Sequence, residues 1–286
     1  MPIRTNMTSL KPRRQAFSRE IQLPSRGYTN RDAWPNGRLT VFPWDTGIDS
    51  FLFDRMRQQT SRNEVLYSLV EKVCNLNGGK VDDLIASEVN IILLVSRALG
   101  SANEKGVVSY DSHCPRCQRV MAETIAIPDE LGVVGAKPED YAGFDVITLP
   151  NCKDKVAVKP LKVGDERLVL DRSSDEKRRV DDKTLRTAMA VVTINDSRAD
   201  TLSELVQYLD ALSPTDIAFL ETQHAELSPH LDASIAHKCD SCGHEFKELL
   251  TFDTEFFRSR GPLEAGSALE TAVATGVGSP RTDARP

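Results

Sequence analysis

The sequence has no long hydrophobic run. Its longest apolar stretch, residues 89–95, contains Asn90 and is far shorter than the about 20 residues that a membrane-spanning helix needs. The first residues, Met1 to Asn6, are not followed by the apolar segment of a signal peptide. We therefore expect no membrane partner, and we expect the chain to be made in a reducing cytoplasm.

The sequence also lacks the common catalytic motifs: it has no phosphate-binding loop, no Gly-x-Gly-x-x-Gly and no His-Glu-x-x-His. One enzyme signature needs weighing, because His224, Glu226 and the pair Cys239 and Cys242 are similar to the motif of zinc deaminases. Lys238 stands where that motif has proline, and only twelve residues separate Glu226 from Cys239. We predict that the protein is not an enzyme, and a zinc-dependent deaminase-like enzyme is the weakest alternative.

Positive charge is in the minority. The formal net charge is −6, with 27% charged and 40% hydrophobic residues in a chain of 286. Such a chain can bury a sizeable core and has room for two domains. Its acidic balance argues against a protein whose whole surface binds nucleic acid or another polyanion.

Four of the six cysteines form two Cys-x-x-Cys pairs, and these are the most informative residues of the chain. The pairs are Cys114 with Cys117, and Cys239 with Cys242. Two such turns supply the four thiolates of a closed tetrahedral zinc site, whose role is structural because no coordination position remains for a substrate. In a reducing compartment this spacing favours metal. Disulfide bonds remain the alternative.

The two pairs are far apart in the sequence, because residues 118–238, 121 in all, lie between them. We predict a split zinc ribbon that joins distant parts of the chain. His113, His237 and His244 flank the pairs and could replace a ligand or donate a hydrogen bond to a thiolate. Because four cysteines already complete the site, we leave the three histidines out of the ligand set.

The remaining two cysteines have other expected roles. Cys74 ends a predicted helix, where we expect a small buried hydrophobic residue. Cys152 lies in a predicted turn, where we expect an exposed thiol.

The first 40 residues differ in composition from the rest, with eight Lys or Arg against two acidic residues. The segment up to about residue 36 has few apolar residues, so we predict an arm that packs on a neighbouring subunit; a disordered basic tail is the alternative. The last residues, from about 259, have the composition of a flexible tail.

Periodicity and capping patterns predict an α+β fold, with a helical bundle and small β elements organised around the split zinc ribbon. Capping boxes begin helices at Ser61 and Thr201, and Ser213 with Pro214 begins another. The apolar spacing predicts a helix over 82–99, and alternation predicts strands at 106–110, 123–127, 145–149 and 155–160. His224 is expected on the exposed face of its helix.

These patterns divide the chain into six segments. They are a basic extended arm (1–40), a helical region (41–111), the first half of the zinc ribbon (112–127), an inserted α/β region (128–236), the second half of the ribbon (237–258) and a flexible tail (259–286).

Taken in order, several short motifs resemble the baseplate-hub family of T-even and related contractile tailed phages. The resemblance covers roughly residues 21–258. Its motifs are Leu23-Pro-Ser-Arg-Gly-Tyr28, Phe42-Pro-Trp-Asp-Thr-Gly-Ile-Asp49, the helix with Asn90, Leu93, Leu94, Arg97 and Gly100, His113-Cys-Pro-Arg-Cys117, Ile147-Thr-Leu-Pro150, the helix around Asp216 and Leu220, Lys238-Cys-Asp-Ser-Cys-Gly243, and Phe256-Phe257.

The resemblance implies a non-enzymatic structural or assembly protein of a contractile-tail baseplate. Its partners would be other baseplate hub and wedge proteins, with the tail tube and the tape-measure protein as further candidates. It would be assembled in the host cytoplasm and located in the virion, in the tail baseplate. The alternative from a different class is a zinc-ribbon protein that binds nucleic acid, suggested by the knuckles and the basic arm, although the acidic balance elsewhere weighs against nucleic acid as a partner.

Overall fold

The structure is a computed structural model that describes residues 18–58, 61–100, 107–126, 132–173, 180–252 and 254–257. The predicted tail, 259–286, and the first 17 residues of the predicted arm lie outside this part of the chain. The helices are α1 (Thr46–Arg57), α2 (Arg62–Val73), α3 (Glu88–Gly100), α4 (Val163–Ser173), α5 (Asp182–Ala190), α6 (Leu202–Ala211), α7 (Pro214–Leu227) and α8 (Thr254–Phe257). The strands are β1 (Arg19–Gln22), β2 (Arg38–Val41), β3 (Cys74–Asn75), β4 (Val107–His113), β5 (Val120–Ala126), β6 (Gly132–Val134), β7 (Asp145–Thr148), β8 (Lys155–Val158), β9 (Val191–Ile194), β10 (His230–Asp232), β11 (Ser234–Lys238) and β12 (Glu245–Leu249).

The larger hydrophobic core is built on helices α1, α2 and α3; we call it the helical core. The Ser61 hydroxyl accepts a hydrogen bond from the Glu64 amide at 3.3 Å, so the predicted N-cap of α2 is confirmed. Helix α3 is apolar on nearly all sides, and all its residues from Glu88 to Ser96 are buried except the half-buried Asn90. Trp44 stacks on Phe257, with ring centroids 5.8 Å apart, so the last described helix closes this core.

The helix predicted over 82–99 begins later than expected. A single 3₁₀ turn covers Val81–Asp83, and the backbone is extended at Leu84 (φ −67°, ψ 147°) before α3 starts. The extended stretch bonds to a distant segment instead, since Val163 N donates to Leu84 O at 2.8 Å and Ala86 N donates to Leu161 O at 2.9 Å. Tertiary pairing therefore overrides the helical periodicity at these residues.

The predicted arm needs a correction for residues 18–40, because this part belongs to the helical core. Strand β1 pairs antiparallel with β2, and β2 pairs with β3. Leu23 is 1% exposed and Trp34 is fully buried, and the Trp34 indole donates to Leu76 O at 2.8 Å. The segment has few apolar residues, but a buried tryptophan removes on the order of 150–250 Å² from water, so these few suffice to seat it.

A second lobe follows the first Cys-x-x-Cys pair. Its antiparallel sheet has the order β7-β8-β9, and its separate apolar cluster joins this sheet to residues of α5, α6 and α7. The strands predicted at 145–149 and 155–160 are confirmed and form an antiparallel hairpin, with Asp145 opposite Val158 and Thr148 opposite Lys155. The turn between its strands is held by Asp216, whose carboxylate accepts from Asn151 N at 2.7 Å.

Helix α4, which follows β8 in the chain, is joined to the helical core by an ionic contact. Arg167 donates twice to the Glu64 carboxylate, at 2.9 and 2.7 Å, and also pairs with Asp82. The second half of the predicted capping box at Ser61 is therefore replaced, because the Glu64 carboxylate binds Arg167.

The α+β class is confirmed, with helices and several small sheets in one chain. In the ranges that the structure describes, none of the helices combines the length and apolar character needed to cross a membrane.

Candidate metal centre

The two Cys-x-x-Cys pairs lie at the ends of two antiparallel hairpins, β4–β5 and β11–β12, which we call the paired hairpins. In the first, residues 107–113 pair with residues 120–126. In the second, residues 234–238 pair with residues 245–249. Each pair of cysteines therefore sits in the turn that follows one strand and precedes the next. The strands of the first hairpin reach closer to the cysteines than the predicted 106–110 and 123–127.

Backbone hydrogen bonds shape the first turn into a knuckle. Cys114 N donates to Arg119 O at 3.0 Å, and Gln118 N donates to Cys114 O at 2.9 Å. To close this turn, Gln118 adopts a left-handed conformation with φ 61°. The turn thereby places both thiols of the knuckle on one side.

The second turn repeats the same geometry. Cys239 N donates to His244 O and Gly243 N donates to Cys239 O, both at 2.9 Å. Gly243 stands where the first knuckle has Gln118, with φ 69°. Two equivalent knuckles therefore meet, although 121 residues separate them in the sequence.

The structure brings together all four cysteines that the sequence singled out. Their sulfur atoms lie within 4.8 Å of one another. Cys114 Sγ is 3.7 Å from Cys242 Sγ, and Cys117 Sγ is 3.6 Å from Cys239 Sγ. A tetrahedral ion with bonds of about 2.3 Å to sulfur has sulfur–sulfur edges of about 3.8 Å. The four thiols therefore fit a four-coordinate metal ion.

None of the six cysteines is in a disulfide bond in this structure, so the four clustered sulfur atoms are available as metal ligands. Cys114 and Cys239 are buried, Cys242 is half-buried and Cys117 is exposed. The centre thus lies at the tip of the paired hairpins, with one side towards solvent. Cys74 is buried as predicted, and burial raises its pKa to about 12. Cys152 is exposed in its turn, also as predicted.

The knuckle amides favour the thiolate form. Burial opposes ionisation of Cys114, but hydrogen bonds from the amides of Cys117 and Arg116 outweigh it and lower the pKa of Cys114 to about 7. The Arg119 amide likewise favours the thiolate of Cys117, but burial and the neighbouring thiols raise the pKa of Cys117 to about 12. Since one thiolate disfavours a second beside it, a cation is needed to hold four of them together.

Charged side chains around the tip are paired across and along the hairpins. Arg119 lies 3.4 Å from Asp240, which joins one knuckle to the other. Lys238 lies 3.0 Å from Glu245, across the second hairpin. Both pairs are largely exposed, so they orient the knuckles and add little to stability.

None of the three flanking histidines belongs to the group of four thiols. His113 is exposed at the end of β4. The ring of His244 stacks on Phe246, with ring centroids 6.1 Å apart. His237 is buried, but it faces the interior of the paired hairpins and not the sulfur atoms.

A polar layer beneath the thiols was missed by sequence reasoning. His237 Nε2 lies 3.3 Å from the Tyr110 hydroxyl and 3.6 Å from Glu248 Oε2, and its Nδ1 lies 3.8 Å from Glu123 Oε1. The Ser112 hydroxyl donates to Glu248 Oε2 at 2.5 Å. Strand alternation could have placed Tyr110 and Ser112 on the face of Cys114, because they precede it by four and two residues. It could not have found His237 and Glu248, which the second hairpin supplies.

The deaminase alternative finds no support in the position of His224. This histidine lies on α7 and is not among the residues grouped with the four thiols. The prediction of an exposed position is also wrong, since His224 is half-buried and its Nε2 is shielded from solvent. Burial lowers its pKa below the usual value.

Comparisons with known proteins identify no relative: no family model matches the sequence, and neither a curated protein nor a solved structure matches it.

Proposed function

We propose that the protein is a non-enzymatic structural or assembly component of a phage contractile-tail baseplate, with a fold locked by a structural zinc ion in a split zinc ribbon. The proposal rests on the ordered resemblance to the baseplate-hub family, which includes both knuckles. Its partners would be baseplate hub and wedge proteins, and its final location would be the virion.

One structural observation carries the non-enzymatic part of the proposal: four thiols surround one point. Four thiolate ligands fill a tetrahedral coordination shell and leave no position for a substrate or a water nucleophile. Among the described residues, no second group of metal-ligating side chains accompanies them. Zinc is the ion we propose, because it favours tetrahedral sulfur ligation and undergoes no redox change.

A gene deletion tests the baseplate assignment. Deleting the gene from the phage should leave filled heads without sheathed tails, and a plasmid copy should restore infectious particles. Electron microscopy of the lysate provides the measurement. Normal infectious particles from the deletion would overturn the proposal.

The second candidate is a zinc-ribbon protein that binds nucleic acid, and exposed cations on the paired hairpins are the observation that favours it. Arg116, between the two cysteines of the first knuckle, and Lys247, in strand β12, are exposed. However, Arg119 and Lys238 are paired with Asp240 and Glu245, which reduces the positive potential of this surface. Binding to DNA or RNA that weakens steeply with salt would favour this candidate.

A further inference from the structure

A loop at residues 23–31, which we call the joint loop, lies between the helical core and the segment that leads into the second lobe. On the core side, Ser25 N donates to the Glu88 carboxylate at 2.7 Å. On the lobe side, Pro24 O accepts from Lys137 N at 2.8 Å. The joint loop therefore connects the start of α3 with the residues that precede β7.

Further contacts fix the lobe side of the joint loop. The Arg31 guanidinium donates to Glu139 O and Tyr141 O, both at 3.2 Å. The rings of Tyr28 and Tyr141 meet edge to face, with centroids 4.9 Å apart. Residues 137–141 therefore move with the joint loop if the loop leaves the core.

Glu88 is the unusual residue on the core side. It is fully buried in the first turn of α3, and only one of its carboxylate oxygens has a hydrogen-bond partner. The described residues give it no salt bridge with Lys, Arg or His. A buried carboxylate with so few partners is costly, whereas a neutral carboxyl in the same place is not.

The surroundings of Glu88 shift its pKa towards neutral pH. Burial raises the pKa of Glu88 to about 7, although hydrogen bonds from Ser25 and from the Ile85 backbone oppose the rise. The ionisable group that faces it from the joint loop is Tyr28, whose own pKa is raised by burial and by the charges of Glu88 and Asp145. On the lobe side, Lys137 is paired with Asp145 at 2.8 Å.

We propose that Glu88 makes the joint loop a pH-sensitive latch. While the carboxyl is protonated, it seats the loop on the helical core at no electrostatic cost. When it ionises, the buried charge favours states in which the loop opens and water reaches the carboxylate. Opening then releases residues 137–141 from the core and loosens the attachment of the second lobe.

The direction of the effect follows from the raised pKa. The seated state binds the proton more tightly than the opened state, whose pKa is near the usual 4.5. The latch is therefore strongest below about pH 4.5, weakens as the pH rises from there to about 7, and changes little at higher pH. A difference of about 2.5 pKa units corresponds to a change of about 300-fold in the opening equilibrium.

Hydrogen exchange of the full-length protein tests the latch. We compare the wild type, Glu88→Gln and the matched control Glu71→Gln, which changes an exposed glutamate of α2. After correction for intrinsic exchange, opening of residues 23–31 and 137–141 should increase by about 100-fold between about pH 5 and about pH 8 in the wild type and in the control. In Glu88→Gln it should stay constant. Equal pH dependence in all three proteins, or none in the wild type, would overturn the proposal.

A second measurement uses only the wild-type protein, so it does not depend on the folding of a variant. Carbon NMR of the wild-type protein, labelled at glutamate, follows the Glu88 carboxyl directly. A midpoint near 7 supports the latch, and a midpoint near the usual value for glutamate would refute it.

Discussion

At the scale of single residues, the two knuckles differ at one informative position. Gln118 and Gly243 both adopt left-handed backbone conformations, with φ 61° and 69°. A side chain in this conformation costs about 1–2 kcal/mol, and glycine avoids the cost. The knuckle therefore requires the conformation more strictly than it requires the residue type.

We predict that Gly243→Ala lowers the free energy of unfolding by about 1–2 kcal/mol. The loss would come from the backbone alone, because an added Cβ at Gly243 meets no atom within 4 Å. Gly243→Asn should cost less, since asparagine tolerates this conformation better. Urea unfolding of the metal-loaded proteins gives the measurement.

The matched control is Gly132→Ala in strand β6, where an added Cβ meets only Asp232 Cβ, at 4.0 Å. This glycine is not among those with a positive φ. The control should change stability by less than about 0.5 kcal/mol. Equal losses at Gly132 and Gly243 would show that the knuckle does not depend on left-handed backbone.

The four clustered cysteines could be identified from the sequence because their spacing is local and specific. The polar layer of His237, Glu123 and Glu248 could not, because its members come from strands of two hairpins. Their proximity depends on how those hairpins face each other. No sequence pattern reports that arrangement.

At the scale of elements, the segment that contains β1 and β2 differs most clearly from its prediction. Its many arginines predicted an arm outside the core, yet Trp34 lies fully buried and donates to Leu76 O. The number of charged residues in such a segment indicates only how polar its exposed face is. A few apolar side chains decide where it packs.

We predict that Trp34→Ala lowers the free energy of unfolding by about 3–5 kcal/mol. The variant would lose the buried ring and one of the two hydrogen bonds that Leu76 O accepts, the other coming from Gly79 N. Phe53→Ala is the control, because Phe53 is 41% exposed on α1. Thermal or urea unfolding monitors both variants. Comparable losses in the two would mean that residues 18–40 do not anchor in the core.

Helices with strong capping residues were predicted well, as at Ser61 and Ser213, because a cap acts within one turn. The start of α3 was not, because residues 84–86 bond to residues 161–163 instead of continuing a helix. Local signals therefore identify an element, while a distant partner determines where it begins.

At the scale of the whole molecule, the candidate metal centre joins residues on both sides of the second lobe. Binding energy at such a site becomes folding energy, because the unfolded chain does not hold the four thiols together. The first of the paired hairpins also contributes Tyr110 and Ile125 to the helical core, and Leu250 joins the core directly after β12. Loss of the metal should therefore weaken the core as well as the tip.

We predict one zinc ion per chain and equal loss of metal and of stability in Cys117→Ser and Cys242→Ser. Neither knuckle alone supplies more than two thiolates, which are too few for tight binding. Metal analysis of the purified protein, with thermal unfolding before and after chelation, gives the measurement. Protons compete for the thiolates, so bound metal should decrease as the pH falls.

Cys152→Ser is the control for these variants, because the exposed Cys152 is outside the group of four thiols. It should keep the metal and the stability of the wild type. Cys74→Ser should also keep the metal, but it buries a hydroxyl and should cost about 1–3 kcal/mol. Loss of metal from only one knuckle variant would show that the knuckles do not share an ion.

Because the knuckles are far apart in the sequence, the ribosome makes the second knuckle long after the first. Cys242 follows Cys117 by 125 residues, which at about 5–20 residues per second takes about 6–25 s of translation. During this time the nascent chain carries two thiols that have no partners. Oxidants and competing metal ions can reach them before the second knuckle emerges. Expression in a strongly reducing cytoplasm should therefore raise the yield of metal-loaded protein more than added zinc does.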